Sequence, residues 1–159
     1  MNIRPAGDTD VPFLKKMLYE AARWNPDWPR EPIEEVLADP ILVRYHEGWG
    51  RSGDGGVVAE IDSQRVGAAW YRIFPAEAPG YGFVDEKVPE LSLAVVPLHR
   101  RKGIGGALLR SCLVQAREDG FQALSLSVAV HNRSRMMYQR AGFEKVGEDG
   151  DSWTMVTNL

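Results

Sequence analysis

Glu90-Leu91-Ser92-Leu93-Ala94-Val95-Val96-Pro97-Leu98-His99-Arg100-Arg101-Lys102-Gly103-Ile104-Gly105-Gly106-Ala107-Leu108-Leu109 decides how this chain is read. Leu91, Leu93 and Val95 alternate with Glu90, Ser92 and Ala94, the period of a half-buried strand. Pro97 ends the strand, because it has no N–H to give to a ladder. Three cations and three glycines then fall within residues 100–106, immediately before an apolar helical run. The first turn of a helix leaves backbone N–H groups unpaired and carries about half a positive charge. Glycine lets a bulky anion approach that backbone closely. A phosphate-bearing ligand is the natural guest.

The two common nucleotide signatures do not fit. A P-loop needs Lys-Ser or Lys-Thr after its glycines, and none follows here; a magnesium carboxylate pair is also wanting, and no metal site is expected. The dinucleotide pattern G-x-G-x-x-G gets its first two glycines from Gly103 and Gly105, but Leu108 holds the third place. Arg100-Arg101-Lys102-Gly103-Ile104-Gly105 instead closely resembles the R/Q-x-x-G-x-G/A signature of the GNAT superfamily of N-acetyltransferases. The resemblance implies that Arg100, Arg101, Lys102, Gly103, Ile104, Gly105 and Gly106 hold the pyrophosphate of acetyl-CoA, largely through main-chain N–H groups. The alternative is a basic loop and a glycine-rich helix start with no ligand. Against it, glycines inside a helix each cost roughly 1 kcal/mol relative to alanine.

The chain's 159 residues predict one domain over 1–159 with one core. The net charge of −3 makes the basic stretch at 99–102 a local anion site on an acidic background, and no nucleic-acid surface is expected. A single cysteine, Cys112, permits no internal disulfide and suggests a reducing compartment. Its apolar helical neighbours make it a small core residue. No apolar run approaches 18 residues and no leader pattern opens the chain, so neither a membrane partner nor export is expected, and the location predicted is cytoplasmic.

Outward from the central stretch, Asn2 to Pro5 reads as a short edge strand. Asp8 or Asp10 caps a helix carrying Phe13, Leu14, Met17, Leu18, Ala21 and Ala22 at helical spacing. The prolines at 26, 29 and 32 break it, and a shorter helix follows near Ile33 to Ala38. Residues 40–54 read ambiguously. Val57–Ile61 and Arg65–Phe74 form a hairpin about Asp62-Ser63-Gln64, and Pro75–Pro89 is a long loop. The helix from Ile104 ends at Gly120; Leu124 to Val130 alternates as a strand. A helix near Arg133 to Ala141 stops at Gly142, and strands at Phe143–Val146 and Trp153–Val156 flank a turn-rich Gly147–Asp151. This order predicts an α+β fold with the strand from Glu90 and the strand from Leu124 parallel, since a helix connects them. It matches the GNAT fold: a mixed, mostly antiparallel sheet with flanking helices and one parallel pair that splays apart. By resemblance, pantetheine lies in that gap against Leu93, Ala94 and Val95.

Residues Val128 to Phe143 are similar to the family's second coenzyme motif, an asparagine after the strand, then a helix bearing tyrosine, closed by Gly-Phe. Tyr138, Gly142 and Phe143 match. Asn132 stands six residues before Tyr138 where seven is usual, and His131 holds the seventh place; Asn132 either contacts the coenzyme or caps the helix.

The resemblance implies direct acetyl transfer to a primary amine of a small molecule or peptide. Freeing an alkyl ammonium at pH 7 costs about 4.6 kcal/mol, so a base is needed. Glu90 fills that role where one branch of the family carries its glutamate; otherwise it is a solvated strand-end carboxylate, with water leading to Asp85 or Glu86. Another branch's position holds Ser127. Tyr138 is expected to hydrogen-bond the departing sulfur and protonate it late. Trp24, Trp28, Trp49, Trp70 and Tyr71 either wall an acceptor cleft or fill the core; Glu34, Glu35 and Asp39 either attract an amine or form a solvated face. The rival function is a non-catalytic acyl-CoA-binding module. A homodimer is a family-level expectation.

Overall fold

A computed structural model describes residues 1–159. One seven-stranded sheet takes in strands from both ends of the chain, in the order β1 (Asn2–Pro5), β2 (Gly55–Ile61), β3 (Gln64–Arg72), β4 (Glu90–Val95), β5 (Ala123–Ala129), β7 (Ser152–Asn158) and β6 (Glu144–Asp149). Proline is tolerated in β1 because that strand is an edge, paired to β2 alone. Every pairing is antiparallel except β4–β5, which is parallel and shares a single register pair, Glu90 with Ser125. Past that point the two strands separate.

Helices cover both faces. On one face α4 (Ile104–Glu118) lays Ile104, Leu108, Leu109, Cys112 and Ala116 against Val57, Ala59, Ala69, Leu91 and Val95. Tyr138 of α5 (Ser134–Arg140) joins the same core. Cys112 is buried there, its thiol driven up by desolvation, as an inert core side chain. On the other face α1 (Val11–Ala22) packs Leu14, Met17 and Leu18 on Val58, Ala68, Trp70 and Ala94. The short helices α2 (Ile33–Val36) and α3 (Pro40–Val43) extend that layer. No helix is long and apolar enough to cross a membrane.

The hairpin turn is as expected: Asp62 (φ 50°) and Ser63 (φ 65°) are both left-handed, as a two-residue turn between twisted strands requires. Gly120 (φ 93°) and Gly142 (φ 102°) close their helices, with Phe121 N–H bonded to Ala116 O (3.1 Å) and Phe143 N–H to Tyr138 O (3.0 Å).

Two expectations need correction, and one ambiguous stretch is resolved. Asp10 stands at the start of α1 without capping it. It is fully buried and accepts instead from Arg4, Arg65 and the Gly7 N–H, and the Arg4 guanidinium holds its carboxyl well below the usual range. The ambiguous 40–54 stretch opens with the short helix α3, capped by Asp39, which accepts from Ile41 N–H (2.8 Å) and Leu42 N–H (3.3 Å). The supposed turn at Gly147–Asp151 is mostly strand: β6 runs to Asp149, with a register shift between Lys145 and Gly147 absorbing the glycine.

Arg72, at the end of β3, is buried. It pairs with Asp54 (2.6 Å) and donates to the carbonyls of Arg44 (3.0 Å) and Glu47 (2.7 Å). Arg72 and Asp54 side chains are 1% and 2% exposed, so removing one partner strands a charge out of water. Asp54→Ala is therefore expected to lower the unfolding free energy by about 3 kcal/mol in urea denaturation.

Candidate functional site

The divergence of β4 and β5 opens a cleft of about 1460 Å³. Leu91 to Val95 of β4 form one wall, and Val128, Ala129, His131, Asn132 and Tyr138 the other. Glu90 sits where the strands still touch. Arg100, Arg101, Gly103, Gly105 and Gly106 line one end, and Trp24, Trp28, Asp39, Tyr45 and Tyr81 the opposite side. Of the residues expected to hold the coenzyme, two do not line the cleft: Ile104 is a core residue of α4, and Lys102 is exposed.

Arg101 (φ 61°) and Gly103 (φ 83°) are both left-handed, with Lys102 between them at negative φ. Such alternation turns successive N–H groups toward one concavity, an anion nest. A left-handed arginine costs roughly 1 kcal/mol or more, a strain that needs a compensating purpose. The first intrahelical bond is Ala107 N–H to Gly103 O (3.2 Å). The N–H groups of Ile104, Gly105 and Gly106 thus have no partner in their own helix. A Cβ at Gly103 would meet nothing within 4 Å; at Gly105 it would meet only Met137 and Leu93 side-chain atoms, from 3.4 Å; at Gly106 only the Arg110 side chain, at 3.4 Å. No backbone crowds these three glycines, so packing does not demand them. The residues present fit a diphosphate.

The Arg100 side chain is otherwise engaged. Its Nε donates to Val95 O (2.9 Å) and its Nη2 to Glu20 (3.2 Å), bracing the end of β4 against α1. Asn132 lines the cleft while its side-chain oxygen accepts from Ser134 N–H (2.9 Å), so it holds the start of α5. Tyr138 is buried edge-on to Phe143, ring centroids 5.7 Å apart, and burial pushes its phenol up, so it keeps its proton at neutral pH.

Glu90 is no solvated carboxylate. It is 4% exposed. The Tyr45 hydroxyl donates to its Oε2, and Gly82 N–H donates to its Oε1 (3.0 Å). Burial raises its carboxyl to about 7, against the downward pull of those two donors. Asp85 and Glu86 do not line the cleft; each accepts a main-chain N–H of its own loop, from Lys87 and Ala76. Among the aromatics, Trp70 and Tyr71 are core residues. Trp49 packs under Arg72, and Trp24 and Trp28 line the cleft as an edge-to-face pair 5.3 Å apart. Glu34 and Glu35 stay exposed outside it, whereas Asp39 is at its rim. Sequence reading missed Tyr45 and Tyr81. Neither lies in a periodic segment; the glycines flanking Tyr81 were the one available signal.

The sequence model described as "Acetyltransferase (GNAT) family" matches residues 15–143. Streptothricin acetyltransferase of Streptomyces lavendulae is 33% identical over 123 residues, 74% of this chain and 65% of that protein. The chain spans less than two thirds of the length of the curated relatives it matches, from 65% down to 32%. The ribosomal-protein-alanine N-acetyltransferase structure from Brucella melitensis covers 100% of both chains at TM-score 0.70 and 26% identity. The PaiA N-acetyltransferase from Thermoplasma acidophilum, solved in complex with coenzyme A, covers 100% of both at TM-score 0.72 and 20% identity, a likeness of fold. The mixed sheet with its parallel β4–β5 pair is the GNAT fold. These relatives bear the names of transferases, which gives the rival non-catalytic module no support.

The raised Glu90 carboxyl makes stability fall with pH. The folded chain keeps this proton up to about pH 7, while the unfolded chain releases it near 4.5. The contribution is therefore full below the unfolded value and lost as pH rises through the folded one. Relative to Glu90→Gln, which cannot ionise, the wild type is expected to lose about 2 kcal/mol between pH 5 and 8, read from urea midpoints.

Proposed function

This chain belongs to the acetyltransferase (GNAT) family, and on that premise we propose that it moves an acetyl group from acetyl-CoA to a primary amine, directly and without an acyl-enzyme. The observation that carries the reading is the glycine-lined nest and open start of α4 facing the gap between β4 and β5. The N–H groups from Arg101 to Gly106 hold the diphosphate, with Lys102 adding charge from the rim and Arg100 bracing the loop. The exposed main-chain edge of Leu93, Ala94 and Val95 receives pantetheine, as a strand would receive a neighbour. Asn132 fixes the turn that forms the opposite wall. Acetyl-CoA supplies an activated thioester.

Glu90 acts as the base. A carboxyl near 7 is well matched to accept a proton at neutral pH, and burial keeps it from being spent on solvent. Tyr138 donates a hydrogen bond to the sulfur. Its phenol, pushed up by burial, is too weak an acid to transfer its proton early, so it protonates the thiolate late. Buried Cys112 is unsuited to covalent catalysis, and its presence as a free thiol supports a cytoplasmic setting. On the acceptor side, Trp24, Trp28, Tyr81 and Asp39 suit a cationic amine attached to an apolar body.

The test is acetyl-CoA-dependent product formation, followed as free thiol, on a panel spanning polyamines, amino-modified antibiotics and N-terminal peptides. Turnover of at least one is expected; coenzyme binding with no turnover on any amine contradicts the reading. Turnover should rise with pH through about 7 as Glu90 ionises, and Glu90→Gln should abolish that limb. Tyr138→Phe is expected to lower kcat about a hundredfold while leaving KM for acetyl-CoA within about twofold. Gly105→Glu should weaken coenzyme binding more than about tenfold in calorimetry without lowering thermal stability, because it improves helix propensity while placing an anion where the diphosphate sits.

A further inference from the structure

We infer that Tyr45 is the positioning residue for the Glu90 carboxylate, its hydroxyl clamped between the Tyr81 main chain and one carboxylate oxygen. The inference rests on the reading of Glu90 as the base.

A phenol has one hydrogen to give. Tyr81 N–H donates to the Tyr45 oxygen (2.7 Å), so the hydroxyl hydrogen is left for Glu90 Oε2. Gly82 N–H takes Oε1 (3.0 Å). Two donors from outside β4 therefore aim at the two oxygens, and rotating the carboxylate would break both bonds. The strap Gly80-Tyr81-Gly82 reaches this position because it lacks side chains on either side. A Cβ at Gly80 would collide with Glu90 Oε1 and the Tyr45 hydroxyl, and one at Gly82 with the main chain of Leu126 and Ser127 in β5. The strap thus lies against the base and the parallel strand together.

Tyr45 is itself held from β3. Trp70 Nε1 donates to Tyr45 O (3.3 Å), and Arg72 grips the carbonyls on either side, of Arg44 and Glu47. The ring is buried, tilted on Phe74 at 5.1 Å and stacked with Tyr81 at 6.4 Å. The charged groups around Glu90 are already committed. Arg72, its neighbour across the β3–β4 register, is paired with Asp54, and Arg44 donates to Pro79 O (2.7 Å). Asp39 faces Tyr81 and caps α3. Burial is therefore the main influence raising the Glu90 carboxyl, and of the two hydrogen bonds that oppose it the one from Tyr45 is the larger.

The test needs no amine acceptor. Protein labelled with carbon-13 at the glutamate side-chain carboxyl is titrated by NMR, the Glu90 resonance being the one missing in Glu90→Gln. In Tyr45→Phe the Glu90 midpoint is expected to move up by about one to two pH units, the shift given by loss of one charge-assisted hydrogen bond. 3-Fluorotyrosine at position 45, a stronger donor of nearly the same shape, should move it down, and serves if Tyr45→Phe fails to fold. With an amine in hand, kcat at pH 7 should fall about tenfold in Tyr45→Phe at unchanged KM for acetyl-CoA. An unmoved midpoint in the folded variant overturns the inference. Full turnover by Glu90→Gln overturns the base assignment instead, and the titration still decides whether Tyr45 holds the carboxylate.

Discussion

The parallel contact between β4 and β5 is made once and then abandoned, and the rest of the molecule follows from that single register pair. Two neighbouring strands that part company leave facing rows of backbone donors and acceptors without each other. The sheet survives this because each strand is fully paired on its far side: β4 with β3 from Arg72–Glu90 to Gly67–Val95, and β5 with β7 along its whole length. The helices reinforce the split. α4 covers the β2–β4 half, while α5 packs on β5. The gap is therefore a property of the topology, with each wall paired on its far side, rather than a defect in packing.

At the closed end of the gap the protein buries a carboxylate, and at the open end it exposes helix N–H groups. The two are stabilised by opposite means. The nest at 101–106 is strained, glycine-rich and left open by its own side chains. Glu90 is enclosed and fully engaged by a tyrosine and a main-chain strap. Behind it the Arg72–Asp54 pair ties the 44–47 turn to β3. A buried ion pair is a weak source of net stability, and its service here is to fix a turn that has no regular secondary structure of its own. On the proposed reading, a carboxyl near neutrality and a reluctant phenol, in one cleft with an anion cradle, serve as proton acceptor, hydrogen-bond donor and handle for the coenzyme.

Much of this was legible because it is local. The strand at 90–95, the glycine loop and the start of α4 are contiguous, and their periods and turn residues agree; Gly120 and Gly142 mark helix ends for the same reason. Glu90 was legible as a residue and illegible as an environment. Its burial depends on Tyr45, which lies 45 positions away in a glycine-punctuated turn, and on Gly80 and Gly82, whose purpose is visible only when β5 is beside them. Asp10 misled because a carboxylate before a helix looks like a cap until Arg4, from the neighbouring strand, and the distant Arg65 claim it. The β6–β7 turn was read too long because an exposed edge strand has the composition of a turn. The aromatics divided by face: Trp70 alternates into the core of β3, whereas Trp24 and Trp28 follow α1 in a proline-rich segment with no period to read.

The most direct measurement is a crystal structure grown with acetyl-CoA. The diphosphate is expected within hydrogen-bond distance of the N–H groups between Arg101 and Gly106, and the thioester deeper in the gap between β4 and β5, with Tyr138 on the sulfur. A coenzyme seated elsewhere, or its absence from the cleft at millimolar concentration, would contradict this.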